Sequence, residues 1–273
     1  MTTTEGITQP SVAPARSRRR LVIAGIATLG LFAGAIAIGQ LSPQPVRPPS
    51  ANVGTQLNTA LPPTIASLPL VDENGTSTNL AAFAGKIVVL SSFMTLCQEV
   101  CPFTTAELND IDKHALSSSM RDKIQFVNIS VDPGRDDPAH LHAYRAFAQL
   151  MPNWTLLTGT PENLATLWKY FGASYSKQPE PTPPSTDWFT GKPLTYDVEH
   201  SDVLVYLDAT THQRFVIQGM PNGVNAPLTS GERSFLSSNG VANLTNSDNA
   251  AWTEPQALQV VSWLTKKHLH LKH

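Results

Sequence analysis

Short runs of β-branched residues alternate with helical stretches that open on proline, and this alternation restricts the fold more than any other feature of the chain. Residues 87–92 (IVVLSS), 124–131 (IQFVNISV), 203–208 (VLVYLD) and 214–218 read as strands. Residues 68–71 and 78–80 flank Asp72, Glu73, Asn74 and Gly75, which signals a hairpin. Between the strands, 102–116, 138–150 and 161–171 read as helices. Each has proline in its first turn, where the missing N–H costs nothing. A last helix is expected over 255–268. Strands separated by helices imply an α/β fold with a sheet covered on both faces.

The two ends of the chain read differently. Residues 21–39 form 19 positions without charge or a strongly polar side chain, long enough at about 1.5 Å per residue to span a hydrocarbon core of roughly 30 Å. Arg16, Arg18, Arg19 and Arg20 precede the run, so residues 1–20 are expected in the cytoplasm and the rest beyond the membrane. A cleaved signal peptide competes, since Ala33-Gly34-Ala35 and Ala35-Ile36-Ala37 resemble cleavage sites; the run exceeds a usual signal core of about 7–15 residues, which favours an anchor. Residues 40–64 are proline-rich and read as an extended linker, with packed structure starting near Ile65 and continuing to 273. Residues 178–193 and 219–250 read as loops; the second holds 17 Gly, Asn, Ser or Pro among its 32 positions. The formal charge is −2 overall, +3 over residues 1–20 and −5 after them, so the folded part offers no basic footprint for nucleic acid.

Only two cysteines occur, Cys97 and Cys101, and they follow the strand at 87–92 directly. In an open α/β sheet, reactive groups gather at the carboxyl ends of strands. With Pro102 at the first helical position, Cys101 lies near the helix cap and Cys97 in the preceding turn, where the helix dipole favours thiolate. The spacing lets the sulfurs share a metal or close a disulfide, so metal, redox and structural roles all stay open. Soft thiolates suit Cu(I) or zinc, and an imidazole as third ligand suits copper. His200, just before the strand at 203–208, can supply it if that strand runs antiparallel to the first.

Several segments in order resemble the SCO/SenC family of membrane-anchored copper chaperones. They are Gly85-Lys86-Ile87-Val88-Val89-Leu90, Cys97-x3-Cys101-Pro102, Ile129 to Asp132-Pro133 with Arg135, Asp136 and Pro138, Leu156-Leu157-Thr158-Gly159, Phe171-Gly172 and Val198-Glu199-His200-Ser201. The similarity covers roughly 65–218. It implies a thioredoxin-like fold with a central mixed sheet, and copper bound by Cys97, Cys101 and His200. It also implies delivery to the binuclear copper site of cytochrome c oxidase subunit II, or reduction of that site's cysteines, with a thiol reductant as a further partner. The folded domain is then extracytoplasmic, on the periplasmic side of a cell membrane. Asp132 matches the family's Asp-Pro pair and is expected near the cysteines, as a supporting or partner-contacting group or as a turn residue.

The chain departs from the family in two places. Met94 stands where an aromatic is usual, as a core filler or a soft auxiliary ligand. The 219–250 loop is longer than the family's connection to its last helix, which leaves the recipient open. Other histidines are weaker candidates: His140 and His142 are two apart on a helix and share no face, and His268, His270 and His273 belong to a solvated tail. The alternative function is a thiol–disulfide reductase or a peroxiredoxin-like enzyme, each needing a thiolate at a helix start. Against it stand the three-residue spacing and Gln98, where a Thr-x-x-Cys site has threonine.

Overall fold

The computed structural model describes Met1, Thr2 and residues 45–272. The chain forms two compact units, Met1–Pro45 and Val46–His273, and every element below belongs to the second. The apolar run at 21–39 lies outside the described residues, as does most of the basic segment. Among those described, no helix is long and apolar enough to cross a membrane.

In chain order the elements are β1 (Thr55–Ala60), α1 (Pro63–Ala66), β2 (Leu70–Asp72), β3 (Ser77–Thr78), a 3-10 turn (Leu80–Phe83), β4 (Ile87–Phe93) and α2 (Cys101–Ala115). There follow α3 (Ser118–Arg121), β5 (Ile124–Ser130), α4 (Pro138–Phe147), β6 (Trp154–Thr158), α5 (Pro161–Phe171), β7 (Tyr175–Gln178) and β8 (Asp197–His200). The chain closes with β9 (Val203–Leu207), β10 (His212–Gln218), α6 (Ser230–Phe235), α7 (Ser238–Asn243) and α8 (Glu254–Thr265).

Eight strands form one mixed sheet in the order β1-β10-β9-β4-β5-β6-β2-β3, and β7 pairs with β8 in a second, two-stranded sheet. β4 runs parallel to β5 and antiparallel to β9, and β9 and β10 form an antiparallel pair. A β4–helix–β5 crossover beside an antiparallel hairpin is the thioredoxin-like arrangement. β4 and β5 are buried along their whole length, which is why apolar residues dominate both and do not simply alternate with exposed ones. Their alternate side chains serve two cores. Val88, Leu90, Val127 and Ile129 pack on one face, and Ile87, Val89, Ile124 and Phe126 on the other.

The described chain is ordered well before Ile65, inside the stretch read as a linker. Pro49 and Val53 are buried, and β1 pairs antiparallel with β10 from Thr55 opposite Val216 to Ala60 opposite His212. β1 is an edge strand of largely exposed residues, so backbone pairing holds it and no apolar alternation announces it. Gly54 lets it approach: a Cβ there would stand 2.3 Å from the Val216 carbonyl oxygen. The 219–250 stretch is likewise more than a loop, since it contains α6 and α7.

Candidate metal centre

The centre starts at the carboxyl end of β4. That strand stops at Phe93, seven residues turn over, and α2 begins at Cys101 with Pro102 in its first turn. Cys97 and Cys101 are both buried, at 7% and 1% exposure, and neither is in a disulfide. The Cys101 backbone N–H, one of the donors a helix start leaves unpaired, points at Cys97 Sγ from 3.3 Å.

His200 is the last residue of β8, which pairs with β7 so that Tyr175 stands opposite His200. The next strand, β9, runs antiparallel to β4, so the chain enters it at the end of the sheet where β4 leaves. That reversal carries an imidazole 99 positions from Cys101 to within 3.2 Å, Nε2 to Sγ. One ligand atom each of Cys97, Cys101 and His200 lies within 4.8 Å of the other two. On its far side, His200 Nδ1 is 3.1 Å from the Ser201 carbonyl oxygen. A proton on Nδ1 donated to that carbonyl leaves the Nε2 lone pair directed at the sulfurs. The Ser92 hydroxyl of β4 donates to the same carbonyl at 2.8 Å and so ties the imidazole's backbone to the strand that carries the cysteines.

The electrostatics follow from these contacts. Hydrogen bonding from Cys101 holds the Cys97 thiol well below its ordinary range; burial opposes this, and hydrogen bonding and charge from His200 add to the lowering. Burial pushes the Cys101 thiol well up, and the neighbouring Cys97 charge pushes it further. Burial alone would lower His200, but hydrogen bonding and charge from Cys97 outweigh it and raise the imidazole to about 9. Asp202, whose carboxylate is 3.9 Å from His200 Nδ1, is pushed up to about 6 mainly by burial, against the pull of His200. Without metal, these contacts therefore favour a proton on His200 and on Cys101 over one on Cys97. Two sulfurs and one imidazole form a donor set that suits a soft cation.

Asp132 stands outside this group. It is buried, it pairs with Arg135, and it accepts a hydrogen bond from the Tyr196 hydroxyl at 2.9 Å. Arg135 donates in turn to the Tyr196 carbonyl at 2.6 Å, directly before β8, so Asp132 supports the hairpin that carries His200. The carboxylate under the cysteine loop is Asp136. It accepts from the Thr95 N–H at 3.0 Å, the Thr95 hydroxyl at 2.6 Å and the Ser130 hydroxyl, and burial with the Asp132 charge pushes it up to about 6. Asp136 belongs to the recognised motif, but nothing local in the sequence marks it as the one that faces the cysteine loop. Trp188 was not marked either: it lies in a proline-rich loop and donates from Nε1 to the Thr95 carbonyl at 2.8 Å. Met94 is buried in the core beside Phe93 and also lines the groove that opens at the site. That groove, of about 240 Å³, is bordered by Cys97, Glu180, Asp197, Glu199 and His200. His140 bridges Asp137 and Asp187, at 3.0 and 3.1 Å. His273 lies outside the described residues.

Residues 59–221 match the sequence model of a family described as SCO1/SenC. A Stutzerimonas stutzeri protein whose given name proposes copper binding is 31% identical over 111 residues, 41% of this chain and 53% of that protein. A Bacillus subtilis protein named "SCO1 protein homolog" is 26% identical over 107 residues, 39% of this chain and 54% of that protein. The matches thus span about half the length of these curated relatives. Among solved structures, the copper-bound Bradyrhizobium japonicum ScoI aligns with a TM-score of 0.46 at 24% identity, covering 62% of this chain and 94% of that one.

Proposed function

The chain belongs to the SCO1/SenC family, and from that premise we propose that it is a copper carrier that holds one ion between Cys97, Cys101 and His200. The observation that carries this reading is the convergence of the three ligand atoms, within 4.8 Å of one another and from elements a hundred positions apart. Two thiolates and a neutral imidazole suit Cu(I), and the same trio can accept Cu(II). Three protein ligands leave copper open to an incoming donor. A partner's thiol or imidazole adds to the ion, one carrier ligand leaves, and repetition moves the metal to the site of higher affinity. No group has to lower a covalent barrier.

The recipient in this reading is a copper-accepting protein such as cytochrome c oxidase subunit II, during assembly of its binuclear copper site. The apolar run at 21–39 anchors the chain in the cell membrane with the folded unit on the extracytoplasmic side. In that oxidising compartment a thiol reductant must keep the cysteines reduced. The name of the Stutzerimonas relative and the family membership support the metal.

The binding claim is tested by adding Cu(I) without oxygen to the reduced protein. One copper per chain is expected, and Cys97→Ser or Cys101→Ser should weaken binding on the order of 100-fold, because each removes a thiolate ligand. Unchanged affinity in both variants would overturn the reading. A thiol–disulfide reductase is the second reading, favoured by the lowered Cys97 thiol beside a second sulfur. It requires the metal-free protein to turn over insulin disulfides at enzyme-like rates.

A further inference from the structure

The stretch 219–250 has no part in the ligand set, yet it closes on the segment between the two cysteines. The Gln98 carbonyl accepts the Ser237 N–H at 3.1 Å. The Glu99 carboxylate accepts the Ser237 hydroxyl at 2.9 Å and the Asn239 amide at 3.0 Å, and the Glu99 carbonyl accepts the Asn243 amide at 3.2 Å. Two of the three residues separating the sulfurs are thus held by α7 and its capping serine. Gly240 permits the approach, since a Cβ there would stand 2.1 Å from the Gln98 carbonyl oxygen. The stretch has an anchor of its own: Phe103 and Ala106, in the first turns of α2, pack with Ala226 and Leu228, and Leu236 and Leu244 lie against them. The Ser185 hydroxyl also donates to the Gln98 side chain at 3.2 Å.

We propose that residues 219–250 act as a clamp on Gln98 and Glu99 that fixes the two sulfurs as an open dithiol, with Glu99 as the positioning residue. A disulfide needs the sulfurs about 2.05 Å apart with a narrow range of dihedral angles, so any closure that draws on the backbone of the intervening segment works against these contacts. Four hydrogen bonds and an apolar anchor resist such a shift. The clamp therefore favours the dithiol over the disulfide and keeps the pair ready for a ligand. The consequence for metal rests on the copper reading, whereas the effect on the thiols does not.

The test is made without copper, so its failure and the failure of the copper reading are separable. The protein is equilibrated in glutathione buffers, where the Cys97–Cys101 disulfide plus two glutathione thiols exchanges with the dithiol plus glutathione disulfide. Glu99→Ala should move this equilibrium at least about fivefold toward the protein disulfide, the size expected for losing hydrogen bonds to a charged group. Glu99→Gln keeps an oxygen that accepts from Ser237 and Asn239 and should restore most of the wild-type value. The double variant Ser237→Ala/Asn239→Ala removes the same bonds from the other side. It should match Glu99→Ala, and combining all three changes should add little. The clamp is overturned if Glu99→Ala and the double variant both leave the equilibrium within twofold of wild type, or if Glu99→Gln shifts it as far as Glu99→Ala.

Discussion

His200 has two nitrogens with separate tasks. Nδ1 faces the Ser201 carbonyl and Nε2 faces the cysteines, so the backbone decides which nitrogen is left to bind. Near neutral pH the trio carries two protons that a metal must displace, one on the imidazolium raised to about 9 and one on the elevated Cys101 thiol. The bound state holds fewer protons than the free state, so copper affinity rises with pH, by roughly 100-fold per unit around pH 7 if both leave. The slope should shrink as pH passes the imidazolium's own value. Competition titrations at pH 6, 7 and 8 measure it, and a flat profile would show that the protons sit elsewhere. The sulfurs were legible because Cys-x3-Cys-Pro after a buried strand is a local pattern. His200 drew attention only through a resemblance and an assumed antiparallel strand. Glu99 was silent and Asp136 showed only as part of the resemblance, because a carboxylate that props up a loop looks in sequence like any other acid.

At the level of elements, helices that open on proline were read well. α5 keeps its expected bounds, with the Thr160 side chain accepting the Asn163 N–H and Gly172 closing it in the left-handed region. α4 stops at Phe147, three residues short of the expected end, and Gln149 takes a positive φ of 50° soon after. β1, β7 and β8 are not announced by the sequence because they are largely polar, β7 and β8 are also short, and their pairing is a long-range fact. The contact of α2 with α8 yields a prediction of its own. Glu107 of α2 is buried near Asp110 and Glu254, and burial pushes its carboxyl up to about 7. The folded state then holds this proton more tightly than the unfolded chain. Burial of Glu107 is free of charge cost below about pH 4.5 and destabilises progressively as pH rises toward 7. Glu107→Gln should therefore gain about 3 kcal/mol at pH 8 relative to its effect at pH 4.5. Denaturant melts of both proteins at the two pH values measure this, and an equal effect at both would refute it.

For the molecule as a whole, alternating strands and helices were enough to indicate an α/β sheet with two covered faces, and the ligand geometry follows from one antiparallel strand in that sheet. Where the packed chain begins was not legible, because an edge strand of polar residues resembles a linker. The proposed anchor predicts that the full chain stays with membranes through alkaline extraction and that deleting 21–39 releases it. Release of the intact chain would contradict the anchor. The central claim is that sulfurs and imidazole bind one ion together, and X-ray absorption of the Cu(I)-loaded protein tests it most directly. The account predicts two sulfur neighbours and one nitrogen neighbour, with the nitrogen lost in His200→Ala. Two sulfurs alone, with a spectrum that His200→Ala leaves unchanged, would contradict it.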